Sequence, residues 1–145
     1  MLFMRVMILL FTIILCILSA PNDGRADAVS SIAADVVSVY DGDSIIVDAH
    51  PWPGMTIRIS VRVRGIDAAE IKGKCQAEKK AALIARDRVT ELAQGGILLK
   101  NVSHGKYAGR VVADVVSGAG SLAEMMIKEG LARPYDGGKR ASWCD

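Results

Sequence analysis

Two acidic residues flank one glycine at Asp41-Gly42-Asp43, between residues 34–40 and 44–49, two runs rich in β-branched side chains. An Asp-Gly pair between such runs reads as a hairpin tip. Two carboxylates one residue apart also suit a hard cation, which takes oxygen ligands. Asp43 favours that second use, because it leads into a strand, where Asp is disfavoured. Further along, Gly65-Ile66-Asp67-Ala68-Ala69-Glu70 places two more carboxylates at the end of a strand. Alone they read as an ordinary polar strand end. If the fold brings them near Asp43 they would say more: oxygen-only ligands suit Ca²⁺, and a remaining Glu could orient or deprotonate a water.

The basic residues have their own spacing. In TIRISVRVRGID, Arg58, Arg62 and Arg64 alternate with Ile57, Ile59, Val61 and Val63, so period two puts arginines on one face and aliphatics on the other. Alternating charge is the ordinary pattern of a solvated strand face, but a guanidinium fork also matches phosphate oxygens. GKYAGR, residues 105–110, reads as a hairpin turn that carries Lys106, Tyr107 and Arg110, a second guanidinium and a ring on which a base can stack. The formal charge of the 145 residues is only +2. That is too weak to identify a nucleic-acid partner, so any basic signal is local.

The elements that must position these groups follow from periodicity. Residues 34–40, 44–49 and the arginine segment read as three strands, with His50-Pro51-Trp52-Pro53-Gly54 as a loop. Residues 76–93 read as a helix with an apolar stripe of Ala81, Ala85, Val89 and Leu92, Ile84 beside them, stopped by Gly95-Gly96. Residues 97–102 and 110–116 read as two more strands. A shorter helix follows, with Ser121 and Glu124 at capping-box spacing and Gly130 closing it. The last residues, ARPYDGGKRASWCD, read as irregular. Five short strands with a helix after the third predict an α+β fold: a five-stranded, partly open Greek-key barrel of the OB type with two helices.

The chain begins MLFMRVMILLFTIILCILSA. Arg5 followed by an apolar run shorter than the roughly 20 residues of a membrane span reads as a signal peptide. Ala26-Asp27-Ala28 supplies a cleavage pattern, giving a leader at 1–28 and a domain at 29–145, periplasmic or secreted. Removing the leader takes two charges of each sign, Arg5, Arg25, Asp23 and Asp27, and leaves the formal +2 unchanged. Of three cysteines only Cys75 and Cys144 then remain, and an even pair in an exported protein reads as a disulfide. Two unpaired thiols are the alternative. Neither His50 nor His104 has zinc spacing to this pair.

Taken in order, these motifs resemble the staphylococcal nuclease, or thermonuclease, domain. The resemblance runs from about residue 34 to 135. It rests on Asp41-Gly42-Asp43-Ser44, on Val61 through Glu70 with Arg62 five before Asp67 and Glu70 three after it, on Lys106-Tyr107-Ala108-Gly109-Arg110, and on Gly130-Leu131-Ala132. It implies an OB-fold endonuclease that uses Ca²⁺ to hydrolyse DNA and RNA to 3′-phosphate products. Asp43 and Asp67 become the carboxylate ligands, Ala68 lends its carbonyl, and Asp41 stands in the outer shell. Glu70 positions and deprotonates the attacking water, Arg62 and Arg110 grip the scissile phosphate, and Lys106, Tyr107 and Tyr135 line the nucleotide pocket. Three departures stand out. Ala69 replaces the family's usual Pro, predicting a looser loop under Glu70. Ala108 is inserted in the Lys-Tyr-Gly-Arg turn, predicting a shift of Lys106 and Tyr107 relative to Arg110. The family's third, C-terminal helix is expected to be missing, with Cys75–Cys144 bracing the tail instead.

A rival reading is a non-catalytic OB module that binds single-stranded nucleic acid or a protein partner. Such a binder needs the basic groups but not the acids, which repel phosphates unless a cation intervenes. A third is a membrane-tethered structural domain, if the leader is kept. Under the leading reading the mature protein has DNA and RNA substrates, no stable membrane association, and is a monomer.

Overall fold

The Asp-Gly-Asp turn joins the first two strands of a barrel. A computed structural model describes residues 31–144; the expected leader and its cleavage before Val29 lie outside the described residues. Strand β1 (Ile32–Asp41) pairs antiparallel with β2 (Ser44–Trp52), which pairs antiparallel with β3 (Met55–Val63). A short β4 (Ile66–Ala68) and helix α1 (Gln76–Leu92) follow. Then come β5 (Ile97–His104), β6 (Arg110–Ser117), the two-residue β7 (Gly120–Ser121), helix α2 (Leu122–Lys128) and β8 (Ala132–Pro134). The order β3-β2-β1-β5-β6 closes on itself because β3 also pairs with β6, in parallel, with Arg62 opposite Val112. The result is a closed, mixed five-stranded barrel with two helices, the OB architecture predicted from the order of elements.

Inward-facing Ile45, Val47, Val61, Val63, Leu99 and Val115 fill the barrel, and Ala85, Val89, Leu122 and Met126 from the helices close it. Residue identity explains the helix ends. Ser121 accepts the Glu124 N–H at 3.4 Å, the predicted cap of α2, and Gly130, with φ 70°, ends that segment. The Cys75 sulfur accepts the Glu78 N–H at 3.4 Å and so caps α1.

The structure corrects several expectations. His50, Pro51 and Trp52 belong to β2, not to a loop, and the reversal narrows to Pro53-Gly54. Pro51 is tolerated because the β2–β3 register shifts between Ala49 and Trp52, where no ladder N–H is required of it. The arginine segment is not one strand. It breaks at Arg64-Gly65, where Gly65 has φ 81°, and β4 leaves the barrel to pair with β8, Asp67 opposite Arg133. The alternation of β3 holds only near its end: Val61 and Val63 are buried, whereas Ile57 is 44% exposed, because the β2–β3 hairpin projects beyond the barrel. The stripe of α1 is rotated. Ala82, Ala85, Val89 and Leu92 face the core with Glu78, Ala81 is half-buried, and Ile84 is 50% exposed.

Candidate functional site

The turn between β1 and β2 is held from both sides. Asp41 Oδ1 accepts the Asp43 N–H at 3.2 Å. Asp43 is 1% exposed and bonded through both oxygens: Oδ1 accepts from Arg62 Nη1 at 2.6 Å and from the Ser44 hydroxyl at 2.9 Å, and Oδ2 accepts the Ala68 N–H at 2.8 Å. That last bond ties the turn to β4, which carries Asp67. Gly42 is required here for proximity. A Cβ added to it would lie 2.7 Å from the Ala68 Cβ and 2.8 Å from the Ala85 Cβ. So β4 and α1 press directly on the acidic turn, which explains the small side chains at 68 and 85.

Burial and the neighbouring Asp43 carboxylate push the Asp41 pKa up from 3.8 to about 7. Asp67, also buried, has its Oδ1 3.7 Å from Arg62 Nη2, and its Oδ2 accepts from Trp143 Nε1 at 3.1 Å. Glu70 is half-buried at the start of the 70–75 loop. The loop is organised by Glu78, whose Oε1 accepts the Glu70 N–H at 3.4 Å and whose Oε2 accepts the Lys74 N–H at 2.9 Å. Glu78 thus restrains the segment that Ala69 was expected to loosen.

One open cavity of about 680 Å³ gathers the other predicted groups. Arg62, Glu70, Lys106, Tyr107, Arg110 and Tyr135 all line it. The inserted Ala108 therefore leaves Lys106, Tyr107 and Arg110 on the same cavity. Gly105 donates its N–H to the Arg110 carbonyl at 2.9 Å and Gly109 takes φ 75°, so the turn absorbs the extra residue. Lys106 Nζ sits 5.8 Å from the centre of the exposed Tyr107 ring. Tyr135 donates its hydroxyl to the Gly138 carbonyl at 2.8 Å. Arg110 Nη2 donates to the Ser44 hydroxyl at 2.9 Å, while its buried Nε has no hydrogen-bond partner among the described residues. A buried guanidinium N–H facing no acceptor is costly unless a ligand supplies one.

Two arginines of the predicted phosphate face lie elsewhere. Arg58 makes a two-pronged pair with Asp48, both bonds 2.8 Å, at cross-strand register. Arg64 donates to the Asn101 and Val112 carbonyls and sits 3.3 Å from Asp114. Only Arg62 of the three reaches the site.

The tail, read as irregular in sequence, contributes residues that the motifs missed. Cys75 and Cys144 form a disulfide with Cα atoms 5.8 Å apart. It carries Arg140 and Trp143 to Asp67. The Arg140 guanidinium contacts Asp67 Oδ1 through Nε and Glu70 Oε1 through Nη1, and donates to the Ala68 carbonyl through Nη2 at 3.1 Å. Burial lowers the pKa of Arg140, but its pairing with Glu70 and Asp67 outweighs burial and raises it above its ordinary value. The sole sequence cue was the nearness of Cys144 to a Gly-Gly-Lys-Arg run.

The donor chemistry fits a hard divalent cation. Asp67, the Ala68 carbonyl and Glu70 turn oxygens toward one positive group, the Arg140 guanidinium, and the buried Asp43 is bonded to the Ala68 N–H; oxygen donors of this kind suit a hard cation. Among the described residues the one tight cluster of His, Cys, Asp or Glu ligand atoms is Cys75, Glu78 and Cys144, whose sulfurs are spent in the disulfide.

The fold is a closed OB barrel, and one open cavity on it brings Glu70 together with the two guanidiniums of Arg62 and Arg110. Residues 60–142, more than half of the chain, match the family described as staphylococcal nuclease homologue, and the chain belongs to that family, whose members are generally nucleases. No curated protein matches the chain.

Proposed function

We propose that this protein is an exported, Ca²⁺-dependent nuclease that hydrolyses DNA and RNA phosphodiesters, releasing the 5′ oxygen and leaving 3′-phosphates. The observation that carries the reading is the one cavity that holds Glu70 with Arg62, Arg110, Lys106, Tyr107 and Tyr135. The family membership adds to it.

The chemistry follows from the side chains. Glu70 lines the cavity and has the reach to hold a water and take its proton. The attack loads negative charge on the phosphoryl oxygens. Arg110, which lines the cavity, would offer its guanidinium to one of those oxygens, and Arg62, fixed by Asp43, would supply a second. Donors held in place before reaction stabilise the transition state more than the substrate. Asp43, Asp67 and the Ala68 carbonyl would hold Ca²⁺, with Asp41 in the outer shell, and the ion would offset the charge that develops on the phosphate. Tyr107 and Tyr135 offer rings for bases and Lys106 a cation for the adjoining phosphate.

Export is supported by the apolar leader and by the disulfide, which suits an oxidising compartment. Among the described residues no helix is long and apolar enough to cross a membrane. We read the mature protein as a periplasmic or secreted monomer. The test is cleavage of single-stranded DNA by the oxidised protein with Ca²⁺ and with chelator, beside Glu70→Gln. Calcium-dependent cleavage that falls about 10²–10⁴-fold in a folded variant is expected. Strand retention without cleavage under any condition would favour the binding-module alternative.

A further inference from the structure

Asp41 and Asp43 share the β1–β2 turn, Asp43 is bonded to the Ala68 N–H of β4, and Asp67 and Glu70 lie on and just beyond that strand, where the fold pairs both with a cation drawn from its own tail. Arg140 is 73 residues from Asp67 in sequence, yet its three nitrogens reach Asp67, Glu70 and the Ala68 carbonyl. These are the oxygens assigned above to the divalent ion and to the attacking water. The segment that carries Arg140 is fastened at both ends. Its near end pairs through β8 with β4, and its far end is fastened by Cys75–Cys144. Between them Tyr135 donates to the Gly138 carbonyl, Arg133 donates to the Ser142 carbonyl at 2.7 Å, and the Arg133 guanidinium lies 4.0 Å from the centre of the Trp143 ring. Trp143 in turn donates to the second oxygen of Asp67. Both carboxylate oxygens of that ligand are therefore engaged by the tail.

We infer that Arg140 is a further residue of the site and competes with the divalent cation, which enters only when the guanidinium and Trp143 withdraw from Asp67. The inference rests on the cation-dependent reading above. Arginine stays protonated at every working pH, so the two cations repel, and the same oxygens cannot serve both. One open cavity on each side of Arg140 leaves it room to move. The first holds Arg62 and Arg110, and the second is lined by Lys72, Lys74 and Lys139. In a two-state site the apparent affinity falls in proportion to the fraction that is open. The disulfide keeps the competing group at high effective concentration.

The test is Ca²⁺ binding to the oxidised protein by calorimetry, wild type beside Arg140→Gln. If the tail occupies the site nine times in ten, removing its charge tightens binding about tenfold. Equal binding, or weaker binding in the variant, overturns the competition and leaves the nuclease reading standing. No Ca²⁺ uptake by either protein overturns both. A second measurement avoids altering Arg140. In a Trp52→Phe protein, Trp143 is the only tryptophan, and its emission should move toward that of an exposed ring as Ca²⁺ is added. Ca²⁺ binding with an unchanged Trp143 emission overturns the inference.

Discussion

Alanine at position 42 adds one methyl group where the acidic turn meets β4 and α1. Its Cβ would stand 2.7 Å from the Ala68 Cβ and 2.8 Å from the Ala85 Cβ, against ordinary carbon contacts of about 3.5–4.0 Å. Neither neighbour can rotate away, because each is a methyl fixed to the backbone, one on a strand and one on a helix. Relief therefore requires the turn to shift by several tenths of an ångström. Gly42 is not among the glycines with positive φ, so alanine meets no backbone penalty and the effect is purely steric. Overpacking of this kind costs about 1–3 kcal/mol. At roughly 4 °C per kcal/mol for a domain of about 100 residues, Gly42→Ala should melt about 4–12 °C lower. The turn carries Asp41 and Asp43, so Ca²⁺ affinity should fall with it. The control is Ala85→Gly, which removes one of the two clashing methyls. The double variant should lose less than the sum of the single losses. A Gly42→Ala protein as stable as wild type, or strictly additive losses, would refute the close-packed turn.

Two further outcomes follow from charge and connectivity. Asp41 titrates at about 7 in the folded state and at 3.8 unfolded, so the folded form holds its proton more tightly and stability declines as pH rises from about 4 to 7. In metal-free protein Asp41→Asn should remove that decline, gaining on wild type by at most about 4 kcal/mol at pH 8; a pH-independent difference in denaturation midpoint would contradict it. Reduction of Cys75–Cys144 reopens a loop with a sequence separation of 69 residues, which the chain-entropy argument values at about 4 kcal/mol. The reduced protein should melt well below the oxidised one, and equal melting temperatures would rule out a bracing role for the tail.

Much of the architecture was legible because it rests on local chemistry. The Asp-Gly turn, the capping serine of α2 and the glycine stops act within a few residues, so the order of the five barrel strands and two helices could be read directly, whereas the short β4, β7 and β8, the last in a tail read as irregular, were missed. The misplaced pieces share a tertiary cause. The aliphatics of β3 and the stripe of α1 are periodic, but periodicity does not say where the barrel ends or which face of the helix meets it. Ile57 and Ile84 therefore read as core and are exposed.

The site divides along the same line. Residue types and spacings within single segments singled out Asp41, Asp43, Asp67, Glu70, Arg110, Lys106 and Tyr107, because chemistry at a turn or strand end is encoded next door. Periodicity puts all three β3 arginines on one face and only the resemblance picked out Arg62; barrel closure turns Arg62 toward Asp43 and leaves Arg58 and Arg64 to surface partners. The hold of Glu78 on the Glu70 loop, the steric need for Gly42, and Arg140 seated among the acids depend on contacts between segments far apart in the chain. Sequence alone determined the barrel, the acids and the basic turn. Only the tertiary structure decided what presses on them and what neutralises them, because packing distance and charge balance are properties of the assembled fold.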